Sequence, residues 1–317
     1  MIDSKKKILI TWSNGFIWAN LLRQLVSQWF ENIFLILRKD SNLRRIQDII
    51  SKTNIRYVSL LDEQALHELV LNIKPDIIYH LAAAWAYVWR DWNGIKNLFD
   101  VNVIGTINLI NACQKVWFEY FINTGSSSEY GQKDQPMNET DLLEPNNEYW
   151  ITKASATLYA SYIGRKLNLP IYTFRLFSVY WYYEDKTRLI PSLMINYINN
   201  NAPELSSPTW IRDFIFVDDV IAYYINIDRI SWDFWWVYNI GNGKQYSIGQ
   251  IAEIVKNIAN SSKEPIYWKS PIRQNEPTHW LSNTQKTISI FWLARTPIEI
   301  GLKKTFEWFK ANNNFYI

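Results

Sequence analysis

The sequence predicts an α/β protein built on a doubly wound parallel sheet with a smaller C-terminal lobe, and three observations carry this expectation. Short β-branched and aromatic runs alternate with stretches of helical periodicity through the first half of the chain. The first of these runs, Ile8-Leu9-Ile10, passes through a tight turn into a helical pattern. A later run, from Ile77 to Leu81, ends in the small residues Ala82 and Ala83, against which a ligand can lie close to the backbone.

The turn after the first strand reads Thr11-Trp12-Ser13-Asn14-Gly15-Phe16-Ile17-Trp18. A strand, a turn and a helix N-terminus aim unpaired N–H groups and the positive end of the helix dipole at one point, which suits the pyrophosphate of a dinucleotide. Thr11, Trp12, Asn14, Gly15, Phe16 and Ile17 are therefore candidate cofactor contacts. Of the three glycines in the usual dinucleotide fingerprint only Gly15 is present, and Trp12 and Trp18 stand at the other two places. The second strand, Ile33 to Leu37, ends in Arg38-Lys39. An arginine there accommodates a 2′-phosphate, so Arg38 favours NADP(H) over NAD(H).

A short strand at Arg56-Tyr57-Val58, a helix from Glu63 to Leu71 and the strand ending in His80-Leu81-Ala82-Ala83 come next. A helix from Asn102 to Val116 leads to the strand Tyr120 to Thr124, which ends in Gly125-Ser126-Ser127-Ser128-Glu129-Tyr130-Gly131. The last strands of the sheet are expected at Ile171 to Leu176 and Val237 to Ile240. Residues 1–176 plus about 213–241 then form the dinucleotide-binding domain, and 177–212 plus 242–317 the substrate lobe.

Composition narrows the partners. A net charge of +3 without a basic block suggests neither a nucleic-acid nor a membrane-surface partner. The single cysteine, Cys113, makes no internal disulfide and fits a reducing cytoplasm. No stretch approaches the ~18 apolar residues of a membrane span. The chain has 17 Trp and 10 Gly, whereas average usage gives ~22 glycines at this length. Tryptophan repeatedly stands where turn chemistry wants a positive φ, as at Trp181 after Tyr180 and at Trp235 before Val237. A gene reading UGA as glycine, translated with UGA as tryptophan, would produce both the excess and the deficit.

Tyr149 and Lys153 are four residues apart, so on a helix they share one face. An ammonium beside a phenol favours the phenolate, which makes the two a workable acid/base pair. Its place in the chain, beyond a phosphate-type turn and a serine-rich strand end, is informative. With His80-Leu-Ala-Ala, Asn102-Val-Ile-Gly-Thr, Ser126-Ser-Ser-Glu-Tyr-Gly, Trp210-Ile-Arg-Asp-Phe-Ile-Phe-Val-Asp-Asp-Val and Val237-Tyr-Asn-Ile-Gly, the chain resembles the extended short-chain dehydrogenase/reductases over nearly its whole length. Within that family it is similar to the nucleotide-sugar epimerases, dehydratases and reductases.

The resemblance implies a Rossmann-type fold and a role for each matched residue. Tyr149 becomes the catalytic acid/base, Lys153 its tuner and a holder of the nicotinamide ribose, and Ser126 the hydrogen-bond partner of the reacting sugar oxygen. Leu81, Ala82, Ala83 and Asn102 join the cofactor site. Ser178, Arg212 and Arg273 join Ser126 in binding a nucleotide-diphosphate sugar, the guanidinium groups suiting its diphosphate. Asp218 and Asp219 read as helix-start carboxylates, no metal is indicated, and a homodimer is implied. Dehydratases of the family carry Asp-Glu directly after the position of Ser126. Here Ser127 and Ser128 stand there, which disfavours dehydration. A 4-ketoreductase is the expectation, a 4-epimerase its alternative, and a catalytically inactive Rossmann-like binding protein the alternative of another class.

Overall fold

Four consecutive buried residues make strand β1 (Ile8–Thr11), as a strand covered on both faces requires. The computed structural model describes residues 2–11, 15–84, 91–230, 236–269, 279–312 and 315. Its other strands are β2 (Ile33–Leu37), β3 (Asn54–Tyr57), β4 (Ile77–His80), β5 (Tyr120–Ser126), β6 (Ile171–Leu176), β7 (Ser178–Tyr180), β8 (Ile211–Phe216), β9 (Val237–Ile240) and β10 (Gln245–Ser247). Seven of them form a sheet in the order β3-β2-β1-β4-β5-β6-β9, parallel throughout. The expected final strands, β6 and β9, close its edge. A three-stranded sheet, β10-β8-β7, takes the remainder. Strand β8, within which the expected boundary near residue 213 falls, pairs with β7 and β10.

The helices are α1 (Phe16–Ser27), α2 (Glu63–Ile73), α3 (Trp92–Phe99), α4 (Gly105–Cys113), α5 (Glu148–Leu167), α6 (Leu189–Ile198), α7 (Val217–Ile225), α8 (Ile248–Ala259), α9 (Gln285–Phe291) and α10 (Ile298–Ala311). Side chains alternate across β1, so Ile8 and Ile10 pack with residues of α1 and α7, whereas Leu9 packs with residues of α2, α4 and α5. Both faces of the sheet are thereby dry at β1, whereas edge strand β3 is largely exposed. Strand order reverses between β1 and β4, whose last residues, Thr11 and His80, lie side by side. A ligand crevice opens at such a reversal, beyond the carboxyl ends of the strands.

Local signals set the element ends. Asp62 and Asn147 cap α2 and α5 by accepting from Ala65 N and Trp150 N. Asp218 and Asp219 stand in the first turn of α7, as expected. Cys113 is buried in α4, and burial pushes its thiol pKa up, which suits packing rather than reactivity. No described helix is long and apolar enough to cross a membrane.

Among the described residues three tryptophans adopt left-handed backbone: Trp29 (φ 63°), Trp268 (φ 65°) and Trp292 (φ 49°). A bulky residue there is an outlier. Trp29 follows the C-cap of α1, where its N–H reaches Val26 O and the N–H of Phe30 reaches Leu25 O. This is the Schellman ending in which glycine is the usual residue. Trp292 is the left-handed cap of α9. All three indoles point to water, at 82%, 60% and 78% exposure, so their side chains contribute little to the fold. Trp181, expected at positive φ, is not; Tyr183 is, at 65°. Trp181 is instead buried against Phe216, its indole N–H without a hydrogen-bond partner. Trp12, Trp85 and Trp235 lie outside the described residues.

Candidate active site

At the strand reversal a buried relay joins the ends of β1 and β4. Thr106 Oγ1 donates to Asn102 O at 2.7 Å, so towards His80 Nε2, 2.8 Å away, it can only accept. Nε2 therefore carries the proton, and Nδ1 accepts from Thr11 Oγ1 at 2.7 Å. Burial, reinforced by the charge of Lys153, pushes the His80 pKa down to about 3 and keeps the ring neutral. Ala82 N donates to Thr11 Oγ1 at 3.3 Å. Thr11 thus ties the end of β1 to the segment Leu81-Ala82-Ala83 that follows β4.

Asn102 lies in a π-helical turn, 100–104, between α3 and α4. Its amide accepts from Ala84 N at 2.7 Å and donates to Ala84 O at 3.1 Å and Thr152 Oγ1 at 3.0 Å. Thr152 in turn donates to Tyr149 O. Asn102 so fixes both the small-residue shelf and the first turn of α5. Gly15 is the extended N-cap of α1, with Phe16 and Ile17 behind it, while Trp12 and Asn14 fall outside the described residues. Arg38 is exposed at the end of β2, its Nε 3.3 Å from Asp40.

Tyr149 and Lys153 stand one turn apart in α5, as the spacing predicts. Tyr149 is half-buried and Lys153 is buried. Lys153 Nζ donates to Thr124 O at 2.6 Å, two residues before Ser126 on β5. Burial lowers the Lys153 pKa, partly offset by the charge of Glu129. Half-buried Ser126 ends β5, its Oγ 2.7 Å from Ser128 Oγ and accepting from Ser128 N. The strand end, the ammonium and the phenol-bearing turn thus meet beside the crevice, an arrangement able to orient a hydroxyl or carbonyl and pass it a proton.

Two of the substrate candidates lie on the three-stranded sheet. Half-buried Ser178 opens β7, and Arg212 on β8 carries its guanidinium over the Trp280 ring. Trp280 donates through Nε1 to Ser127 Oγ at 3.1 Å, which brings the Arg212 strand up to the Ser126 loop. Arg273 lies outside the described residues. Among the described residues no group of three or more His, Cys, Asp or Glu could hold a metal. Sequence reasoning missed the buried pair Glu129 and Arg175 directly beneath Ser126. An arginine inside the apolar run Ile171 to Leu176 was the available signal.

Several known proteins resemble the chain in sequence and fold. The chain is 26% identical to mouse dTDP-D-glucose 4,6-dehydratase, over 97% of this chain and 89% of that protein. It is 24% identical to the dTDP-4-dehydro-6-deoxyglucose reductase of Escherichia coli, over 86% and 88%. The fold matches that of a UDP-glucuronic acid 4-epimerase from Bacillus cereus, solved with UDP-glucuronic acid and NAD, at a TM-score of 0.84, 24% identity, and coverage of 96% and 99%. Residues 8–231 match the NAD dependent epimerase/dehydratase family, and the chain belongs to it.

Proposed function

We propose that this chain, with glycine restored at positions 12 and 18, transfers hydride between NADP(H) and a sugar carbon of a nucleotide-diphosphate sugar, in the direction that reduces a 4-keto sugar. The observation that carries this reading is the meeting of Ser126, Lys153 and the Tyr149 turn beside a dinucleotide crevice, with no carboxylate at positions 127 and 128. There Ser127 accepts from Trp280 and Ser128 pairs with Ser126, so neither provides the acid and base of a dehydration. The residues present suit the cofactor: the small-residue segment after β4 is tied to the end of β1, the strand that leads to α1, and buried Lys153 brings donors for ribose hydroxyls. The bound nicotinamide would supply the hydride. Tyr149 gives its proton to the sugar oxygen that becomes the alcohol, Ser126 hydrogen-bonds the same oxygen, and the Lys153 ammonium stabilises the phenolate left behind. Arg212 and Arg273 hold the diphosphate, and Ser178 contacts the sugar.

A 4-epimerase that keeps NAD is the second reading. Asp40, paired with Arg38 at the end of β2, is a carboxylate within reach of where an adenosine ribose lies, and it favours NAD(H). Arg38→Ala decides between them. In the full chain carrying Trp12→Gly and Trp18→Gly, loss of NADPH affinity well beyond any loss for NADH is the expected result, read by cofactor fluorescence; equal losses remove the NADP(H) assignment. Steady-state turnover of UDP- and dTDP-linked 4-keto sugars tests the reaction itself. Cofactor binding with neither turnover of these nor 4-epimerisation of UDP- or dTDP-sugars returns the chain to an inactive binding protein. The reading includes a reducing cytoplasm, in keeping with the buried Cys113, and pairing of two copies. Ile151, Leu158 and Tyr162 lie exposed along one face of α5, where two copies could meet, and sedimentation equilibrium reports a dimer or a monomer.

A further inference from the structure

A buried ion pair underlies the catalytic serine. Glu129 and Arg175 are 0% and 3% exposed, and Arg175 Nε donates to Glu129 Oε2 at 2.8 Å. The second carboxylate oxygen, Oε1, accepts from the backbone N–H of Ser126 at 2.8 Å and from Thr157 Oγ1 at 3.0 Å. Ser126 in return caps the short helical turn that carries Glu129, so serine and glutamate hold one another reciprocally. Gly125 admits this arrangement: a Cβ there would stand 2.7 Å from Glu129 Oε1. The carboxylate therefore lies directly beneath the peptide of Ser126.

The pair is also wired to the other lobe. The Arg175 guanidinium lies over the Tyr130 ring and donates through Nη1 to Glu139 O. Tyr130 OH donates to Asn239 Oδ1 at 2.7 Å, and Asn239 Nδ2 donates to Met137 O and Asn283 O. Met137 pairs with Ser282, two residues from Trp280, which bonds Ser127. Charges this deeply buried are a poor device for stability, since an apolar pair of similar volume often serves as well. Their geometry is a good device for fixing a loop.

We propose that Glu129 is a positioning residue for Ser126, its carboxylate setting the direction of the serine hydroxyl towards the sugar oxygen, with Arg175 as its countercharge. This rests on the reading of Ser126 given above and deepens it. Two paired substitutions separate positioning from packing, made in the full chain carrying Trp12→Gly and Trp18→Gly. Glu129→Gln with Arg175→Met and Glu129→Leu with Arg175→Met both remove both charges, and neither strands a buried ion. Only the glutamine pair keeps an acceptor for Ser126 N–H. The expected kcat of the glutamine pair is within about threefold of the parent, and that of the leucine pair about 10- to 100-fold lower at little-changed KM. In a Ser126→Ala background the two pairs should turn over equally, since Glu129 acts through Ser126.

Equal kcat in the two pairs, or a leucine penalty undiminished in the Ser126→Ala background, overturns the proposal. Should the leucine pair not fold, Glu129→Asp takes its place. It keeps the ion pair and draws the carboxylate back by one methylene, and full kcat in this variant overturns the proposal equally. A parent that turns over no nucleotide sugar overturns the functional reading and this proposal together. An active parent with indistinguishable pairs overturns this proposal alone.

Discussion

Tyr149→Phe, in the full chain carrying Trp12→Gly and Trp18→Gly, is expected to keep cofactor affinity and lose about 10²–10⁴ in turnover, the usual worth of a positioned acid/base. The substitution removes one oxygen and leaves the ring, so the first turn of α5 stays in place. That turn is held by the Asn147 cap and by the Thr152 bond to Tyr149 O, neither of which uses the phenol. Lys153 keeps its bond to Thr124 O, and Ser126 keeps its own partners. The loss should therefore fall on kcat rather than on cofactor affinity. Stopped-flow hydride transfer separates the two, and undiminished turnover removes Tyr149 from the mechanism.

The residues of this site were legible to the extent that their signal is local. The Tyr149 and Lys153 spacing, the small residues after His80 and the serine-rich end of β5 each sit within a few positions of chain, and each lies where periodicity places it. Glu129 and Arg175 were not legible, because their partners come from β5, β6 and α5, and only the parallel register that sets Gly125 beside Arg175 brings them together. Asn102 reads from the sequence as a cofactor contact. In the fold its amide also bonds Ala84 and Thr152, partners that no local signal names. Local propensity marks helix ends but not backbone sign. Trp181 was expected at positive φ on the strength of its flanking turn, and the fold gives that conformation to Tyr183, where the chain reverses before α6.

Trp12→Gly and Trp18→Gly together are expected to convert a chain with no measurable NAD(P)H binding into one that binds at micromolar affinity, by fluorescence or calorimetry. Trp12 occupies the place where the fingerprint turn needs a residue without a side chain, so that backbone N–H groups can reach the pyrophosphate. Trp18 stands in the first turns of α1, 1% exposed and packed into the main core cluster, where the fingerprint glycine allows helix and strand to close together. Overpacking of that kind costs ~1–3 kcal/mol, which the fold survives and a phosphate cradle does not. Trp29, Trp268 and Trp292 supply an independent arm. Left-handed backbone costs a side-chain-bearing residue ~1–2 kcal/mol, so glycine at each of the three should raise thermal stability, their exposed indoles giving up little. If all these tryptophans stand for glycine, the gene carries UGA at Trp12, Trp18, Trp29, Trp85, Trp150, Trp181, Trp268 and Trp292. Trp308, packed among Tyr182, Tyr183 and Phe315, should be encoded by UGG. UGG at the first eight overturns the glycine origin, and micromolar cofactor binding by the unsubstituted chain overturns the steric argument whatever the codons are.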